Sequence, residues 1–476
     1  MWEYRGSLVE LQAGTEYEVK LSLEEGAIEQ VGKIRTWSEE VPIADTIYVS
    51  SRNRPLVIRR SGSPDGYLLY MPAPGDPGLI DVQGAYELCL KIKTNYIIVR
   101  GFTLRGATNH ALRINRNHHI IVEQCDIADW GGKVEGPARI GQNFDSGIFS
   151  EGDQYFPRHI TIQDNHIHHP TYGASFAGQA GSPRKESVGP QAITIMEGGG
   201  DLVIRRNKIY SEAGRYFRDG MGEWRNHTYF GFPYRNADIA HNYISHCWDD
   251  AIEAEGANEN VRIWGNYTSH VFHHLATANS TFGPLYVWRN VAGHTEKRPG
   301  ETGGNWAKLY APGQLDESET PARGLIYLFH NTLLQEQAGT PISGPDRAFS
   351  GYKVISRNNL FWTSGKPDNL PEIEVRHASS SLDYDGYLGE LRGPGGEEVH
   401  GFMIDSLRFD SLNVPPDVTR PVGGTYWLED GSPGHDQGVV LPGFNDGFEG
   451  RAPDIGAFER PIFPPDSLSP SLSPLP

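Results

Sequence analysis

The residues most able to do chemistry are four carboxylates within one short segment, Trp248-Asp249-Asp250-Ala251-Ile252-Glu253-Ala254-Glu255-Gly256. Carboxylates this close repel one another and raise each other's pKa values. A hard cation such as Ca²⁺ relieves the repulsion by taking several carboxylate oxygens at once. A shared proton relieves it too, and that state serves acid/base hydrolysis. The bland alternative is a solvated turn in an acidic chain. Further on, Lys308 lies in Gly303-Gly304-Asn305-Trp306-Ala307-Lys308-Leu309-Tyr310. A neutral Lys can abstract a proton α to a carbonyl once desolvation or nearby cations lower its pKa; otherwise it is an ordinary surface Lys. Between the two runs His270-Val271-Phe272-His273-His274. Adjacent strand residues face opposite ways, so at most one of His273 and His274 can join the same surface as a hydrogen-bond donor or acid.

Cations and aromatics gather in the neighbouring insertions: Arg184, Arg215, Arg218, Arg225 and Arg235, with Tyr216, Trp224, Tyr229, Phe230 and Tyr234. Aromatic faces stack on sugar rings, and Arg binds carboxylates bidentately. The candidate substrate-binding set is Arg215, Arg218, Arg225, Arg235, Trp224, Asn279 and Tyr310.

These residues need a scaffold, and the sequence contains one in repeated form. A strand pattern of apolar-x-apolar-x-x-Asn-x-apolar occurs as Ile160, Ile162, Asn165, Ile167 and as Leu202, Ile204, Asn207, Ile209. It continues through Asn242, Asn266, Asn290, Asn331 and Asn358, and two earlier copies, at 97–104 and 120–127, replace the Asn. Period-two alternation of β-branched residues marks strands, and one strand type repeated every two dozen residues or more marks a solenoid. Asn at a tight bend tolerates left-handed dihedrals, and its amide can bond the Asn of the next coil. The pattern therefore predicts an all-β right-handed parallel β-helix with long inter-coil loops.

A second strand class lies between the Asn strands, at 110–115, 145–152, 191–198, 249–256, 274–279 and 305–310. Each coil thus has at least two strands. Alternation turns Ile252 and Ala254 inward and Glu253 and Glu255 outward. By the same count Phe149, Glu151, Thr194, Met196, Thr277, Asn279, Lys308 and Tyr310 point outward from neighbouring coils. Inter-coil insertions of a solenoid collect on one side and would wall this stripe into a groove.

The bulk properties set limits. The chain has 476 residues and a formal net charge of -18. Such a field repels nucleic acid and anionic membranes. It would also repel an acidic polysaccharide unless local cations or a metal offset it. No apolar run is long enough to span a bilayer. The three cysteines, Cys89, Cys125 and Cys247, are odd in number and widely spaced, which gives no disulfide framework or metal-ligand cluster, and Cys125 falls on a repeat position where a buried free thiol is expected. The start, Met1-Trp2-Glu3-Tyr4-Arg5, has no leader pattern, which fits either a cytoplasmic protein or a sequence beginning after a removed leader. Three regions are expected: residues 1–40, the solenoid at 41–460, and a Pro/Ser-rich disordered tail at 461–476. Within the first, Leu11-Gln12-Ala13-Gly14-Thr15-Glu16-Tyr17-Glu18-Val19 resembles the Tyr-corner strand of a fibronectin type III domain, making the region a fragment or a cap.

Over roughly residues 45–460 the repeats resemble the pectate-lyase superfamily of β-helices, and Pro453-Asp454-Ile455-Gly456-Ala457-Phe458-Glu459 resembles the closing segment of many bacterial β-helix proteins. The site is similar to that of family 9 polysaccharide lyases, which carry an Asp-Asp-x-x-acid cluster for Ca²⁺ and a Lys base further along the same face. Asp249, Asp250 and Glu253 match the cluster, with Glu253 where that family has Asp. Asp219 is the candidate for a further Asp one coil earlier, and Lys308 matches the base. The resemblance implies a Ca²⁺ site drawn from Asp249, Asp250, Glu253, Glu255 and Asp219. It also implies a secreted or periplasmic protein, expected to be monomeric, that acts on a polysaccharide or oligosaccharide. The polygalacturonase type of glycoside hydrolase is the alternative, with Asp249 and Asp250 as acid and base and His273 or His274 and Lys308 following in order. Its Asn-Thr-Asp and Gly-His-Gly signatures are absent. A non-catalytic glycan-binding β-helix is the third reading.

Overall fold

The structure is a computed structural model. It describes residues 6–22, 29–132, 145–153, 155, 157–171, 189–223, 228–278, 281–296, 305–311, 324–335, 342–343, 353–363, 372–374, 378–388, 390–393, 395–404, 406–412 and 426–460. Only the backbone is described at 305–311, 335, 342–343, 363, 372–374, 390–393 and 397. The Pro/Ser tail and the insertion residues Arg184, Trp224 and Arg225 lie outside the described residues.

The chain is a right-handed parallel β-helix, as the repeats and the resemblance implied. Each full coil has three strands rather than the minimum of two. Among the described residues, sheet 1 stacks twelve strands, from Ile43–Val49 to Ser381–Asp383. Sheet 2 runs from Leu79–Asp81 to Phe402–Met403, so the stack continues past residue 380, where the sequence repeat fades. Sheet 3 runs from Leu56–Ile58 to Ile342–Ser343. Two long strands, Tyr243–Ala254 and Tyr267–Ala278, pass through the corner between sheets 2 and 3 and belong to both.

Alternation builds the core. Val99, Val122, Ile162, Ile204, Ile239, Ile263, Val287 and Leu328 stack in one inward column of sheet 1, all fully or almost fully buried. Each such side chain contributes about 1.5–3 kcal/mol. All three cysteines are buried and free.

The Asn ladder lines the bend between sheets 1 and 2. Asn165, Asn207, Asn242, Asn266, Asn290, Asn331 and Asn359 are linked in series, each Nδ2 donating to the next residue's Oδ1 at 2.8–3.0 Å. Asp385 closes the series, accepting from Asn359 Nδ2 at 3.0 Å. Two expectations are corrected here. The rung is Asn359, not Asn358, whose amide instead reaches Val439 O and His330. The left-handed conformation is taken not by the rung but by the residue before it: Asp164, Arg206, His241, Gly265, Arg289, His330 and Asn358 have φ between 53° and 63°. The Asn backbone is thereby free to point its amide along the stack.

Outside the coils, Glu16–Ser22 and Glu29–Arg35 form an antiparallel ribbon, and the Tyr17 hydroxyl accepts a hydrogen bond from Gln12 N. The Pro453–Glu459 segment folds back on the stack: Gly456 N donates to Asn358 O, and Ala457 N donates to the Thr332 hydroxyl.

Candidate functional site

Sheet 3 positions the acidic cluster. The segment before it pairs with the preceding coil: Trp248 N donates to Phe217 O, Asp249 N to Arg218 O, and Asp250 N to the Asp219 carboxylate. Asp219, Asp250 and His273 then occupy consecutive places in one column. Gly222, Glu253, Ala276 and Lys308 occupy a parallel column. Lys308 is therefore two strand spacings from Glu253, about 10 Å along the stack. Its side chain and that of Tyr310 lie outside the described residues, as does Asn279.

Outward does not mean exposed. Asp249, Asp250, Glu253 and Glu255 are all buried, and Asp219 and Asp250 have no exposed surface. A carboxylate oxygen from each of Asp219, Asp250 and Glu253 lies within 4.8 Å of the others, and the same holds for ligand atoms of Asp249, Asp250 and His273. Glu255 joins neither group, a departure from the implied ligand set. Burial, reinforced by Asp219, Glu255 and Asp250, holds the Glu253 carboxyl well above the usual carboxylate range. Burial pushes Asp219 up to about 6, against the pull of Arg218.

Gly222 makes room for this packing. A Cβ there would fall 2.4 Å from Glu253 Oε2 and 2.8 Å from Glu253 Cβ. Gln191 carried no sequence signal, yet its Nε2 donates to Asp219 Oδ2 at 2.8 Å. Its Oε1 accepts from the Thr194 hydroxyl, which is 2.7 Å from Ser146 Oγ. Glu223, also missed, is buried and accepts from Glu197 N at 2.7 Å. A lone polar residue at a strand end gives no periodic signature, so only the stacking identifies both.

The loop arginines separate. Arg218 belongs to the cluster, with Nε 3.4 Å from Asp219 and Nη2 3.4 Å from Asp249. Its charge offsets those carboxylates. Arg215 is likewise engaged elsewhere, donating to Pro170 O, His169 O and Asp129. Arg235 is exposed, stacked over Tyr234, and enters sheet 1 beside Glu259.

The histidines part as alternation requires. His273 is outward, against Phe272 and the aspartates. His274 is excluded from the site: it points into the coil, within hydrogen-bond reach of the Thr268 and Thr295 hydroxyls, and burial pushes its pKa down to about 3. Thr277 is also corrected. It falls in Ala254's column, so Ala276 is the residue stacked on Glu253.

An all-oxygen set of buried carboxylates fits a hard divalent cation such as Ca²⁺, and His273 adds a nitrogen at the edge. No family model matches the sequence, and no curated protein matches it. Among solved structures, the crystal structure of pectate lyase Pel9A is similar at 13% identity and a TM-score of 0.45, over 90% of this chain and 92% of that one.

Proposed function

We propose that the protein is a polysaccharide lyase that cleaves a uronic-acid-containing glycan by β-elimination. The observation that carries the reading is the convergence of the Asp219, Asp250 and Glu253 oxygens within 4.8 Å, with Lys308 in the column of Glu253. Asp219, Asp249, Asp250 and Glu253 would hold Ca²⁺, which when bound would neutralise the substrate carboxylate and acidify the proton α to it. Lys308 takes that proton. Arg218 offsets Asp219 and Asp249, so the cluster is held without full mutual repulsion. His273, at the edge of the carboxylates, would donate a hydrogen bond to the glycan. A polymeric uronate substrate suits a secreted or periplasmic, monomeric enzyme.

The inverting-hydrolase reading is less well served, because its two carboxyl groups stand ~6.5–9.5 Å apart to admit water. Here ligand oxygens of Asp249 and Asp250 lie within 4.8 Å.

The test is an assay on a panel of uronans, with and without chelator, for the ultraviolet absorbance of an unsaturated uronate. Absorbance that chelator suppresses and Lys308→Ala abolishes is the expected result. New reducing ends without absorbance would replace lyase by hydrolase. Binding without either product would leave a glycan-binding module.

A further inference from the structure

The column that contains Glu253 and Lys308 extends back through the earlier coils, where its chemistry inverts. Going away from Glu253 it passes Gly222, Thr194, Phe149, Arg113, Lys91 and Val57. Strand spacing puts Arg113 about 19 Å and Lys91 about 24 Å from Glu253 along the same outer face. Arg59 and Lys93, both exposed, lie close enough to act on Lys91. Burial, then the charges of Arg113, Lys93 and Arg59, lower the Lys91 pKa, and Glu151 is the anion opposing them. On a chain of net charge -18, such a cation cluster is a local place where an anion can be received against the overall repulsion.

Arg113 is also held in position. Its guanidinium lies 5.5 Å from the Phe149 ring centroid, and Phe149 is stacked on His110 at 4.0 Å. Nη2 pairs with Glu151 at 2.5 Å, while the buried Nε has no hydrogen-bond partner among the described residues. A planar fork with donors to spare suits a carboxylate.

We propose that Lys91 and Arg113 form a distal subsite for carboxylate groups of an acidic oligosaccharide, filled only by chains that reach about 19–24 Å from the acidic cluster. The identity of the occupant rests on the uronan reading. The subsite would answer the repulsion between an acidic protein and an acidic polymer, and would make the protein prefer long chains.

The experiment is calorimetric titration of the full chain and its Lys91→Ala/Arg113→Gln variant. Saturated oligogalacturonates and oligomannuronates of increasing length are the probes, with neutral maltooligosaccharides as controls. Wild type should bind long acidic oligomers more tightly than short ones. The variant should lose about three- to tenfold on the long oligomers and nothing on the disaccharides. Arg113→Lys should retain part of the gain, and thermal melting should show all variants folded. Equal losses at every length, no loss, or no binding of either acidic series by wild type would overturn the subsite. Length-dependent binding that the variant loses, without unsaturated product from wild type, would keep the subsite and remove the lyase reading.

Discussion

The side-chain amide of Gln191 donates to Asp219 Oδ2 across 2.8 Å, at a place where both residues are fully buried. Asp219 in turn accepts from Asp250 N through its other oxygen, so Gln191 orients one carboxylate that orients the next. Gln191→Leu keeps the bulk and removes the donor, leaving a buried carboxylate oxygen short of a partner. The expected cost is about 1–3 kcal/mol of stability, together with weaker Ca²⁺ binding. Denaturant unfolding and metal calorimetry on the same variant check it. Lost stability with unchanged Ca²⁺ affinity would make Gln191 a residue of the fold alone.

Lys308 shares its column with Glu253, two strands away, and would take the proton in the proposed lyase reaction. Lys308→Ala should lower kcat by roughly 10²- to 10⁴-fold, the usual worth of a positioned base. Circular dichroism and Ca²⁺ affinity should stay at wild-type values. Lys308→Arg should not restore activity, because a guanidinium does not give up its proton near neutral pH. A kcat within a few-fold of wild type in either variant removes Lys308 from the chemistry.

The solenoid was legible because every coil repeats the same alternation, which many copies make unmistakable. Details that depend on one residue of register were not. In Asn358-Asn359 the composition does not say which Asn is the rung; the left-handed turn at the preceding residue decides it for Asn359. Thr277 was misplaced because either Ala276 and Ala278 or Leu275 and Thr277 can be counted as the inward residues of its strand; stacking of Leu275 on Ile252 and Thr277 on Ala254 selects the second count. Asp249, Asp250 and Glu253 stood out as a dense local cluster, whereas Asp219 and Gln191 join them only through stacking of coils. Arg218 and Arg215 looked alike in sequence, and only their partners separate them.

His330 ties the closing segment to the stack. Its Nε2 accepts from Asn358 Nδ2 at 3.0 Å and Asn445 Nδ2 at 2.8 Å, which leaves Nδ1–H to donate to Gly456 O at 3.3 Å. That pattern requires the neutral ring, and burial, aided by Arg289, pushes the pKa down to about 3. An unfolded His titrates near ~6.5. Between those values the unfolded chain binds a proton that the folded chain refuses. His330 therefore contributes stability above pH ~6.5 that is lost as pH falls toward 3, with a slope of at most about 1.4 kcal/mol per pH unit. His330→Gln should be less stable at pH 7 and should lose that share of the slope. Urea unfolding of both proteins from pH 4 to pH 8 checks it, and identical slopes would show that His330 does not titrate there.

Gly222 permits the approach of Glu253 through space alone, since its backbone is not among the left-handed positions. Alanine would therefore fit the backbone, but its Cβ would meet Glu253 Cβ at 2.8 Å and Oε2 at 2.4 Å. Overpacking of this kind costs about 1–3 kcal/mol, and the carboxylate must move away from Asp219 and Asp250 to relieve it. Gly222→Ala should thus weaken Ca²⁺ binding by roughly 10- to 100-fold, as loss of a ligand's support does. The shorter Glu253→Asp change withdraws the carboxylate from the added methyl. Joined to Gly222→Ala, it should recover affinity relative to Gly222→Ala alone, a coupling that a double-mutant cycle of calorimetric Ca²⁺ affinities measures. Strict additivity of the two changes would mean that Gly222 does not set the position of Glu253.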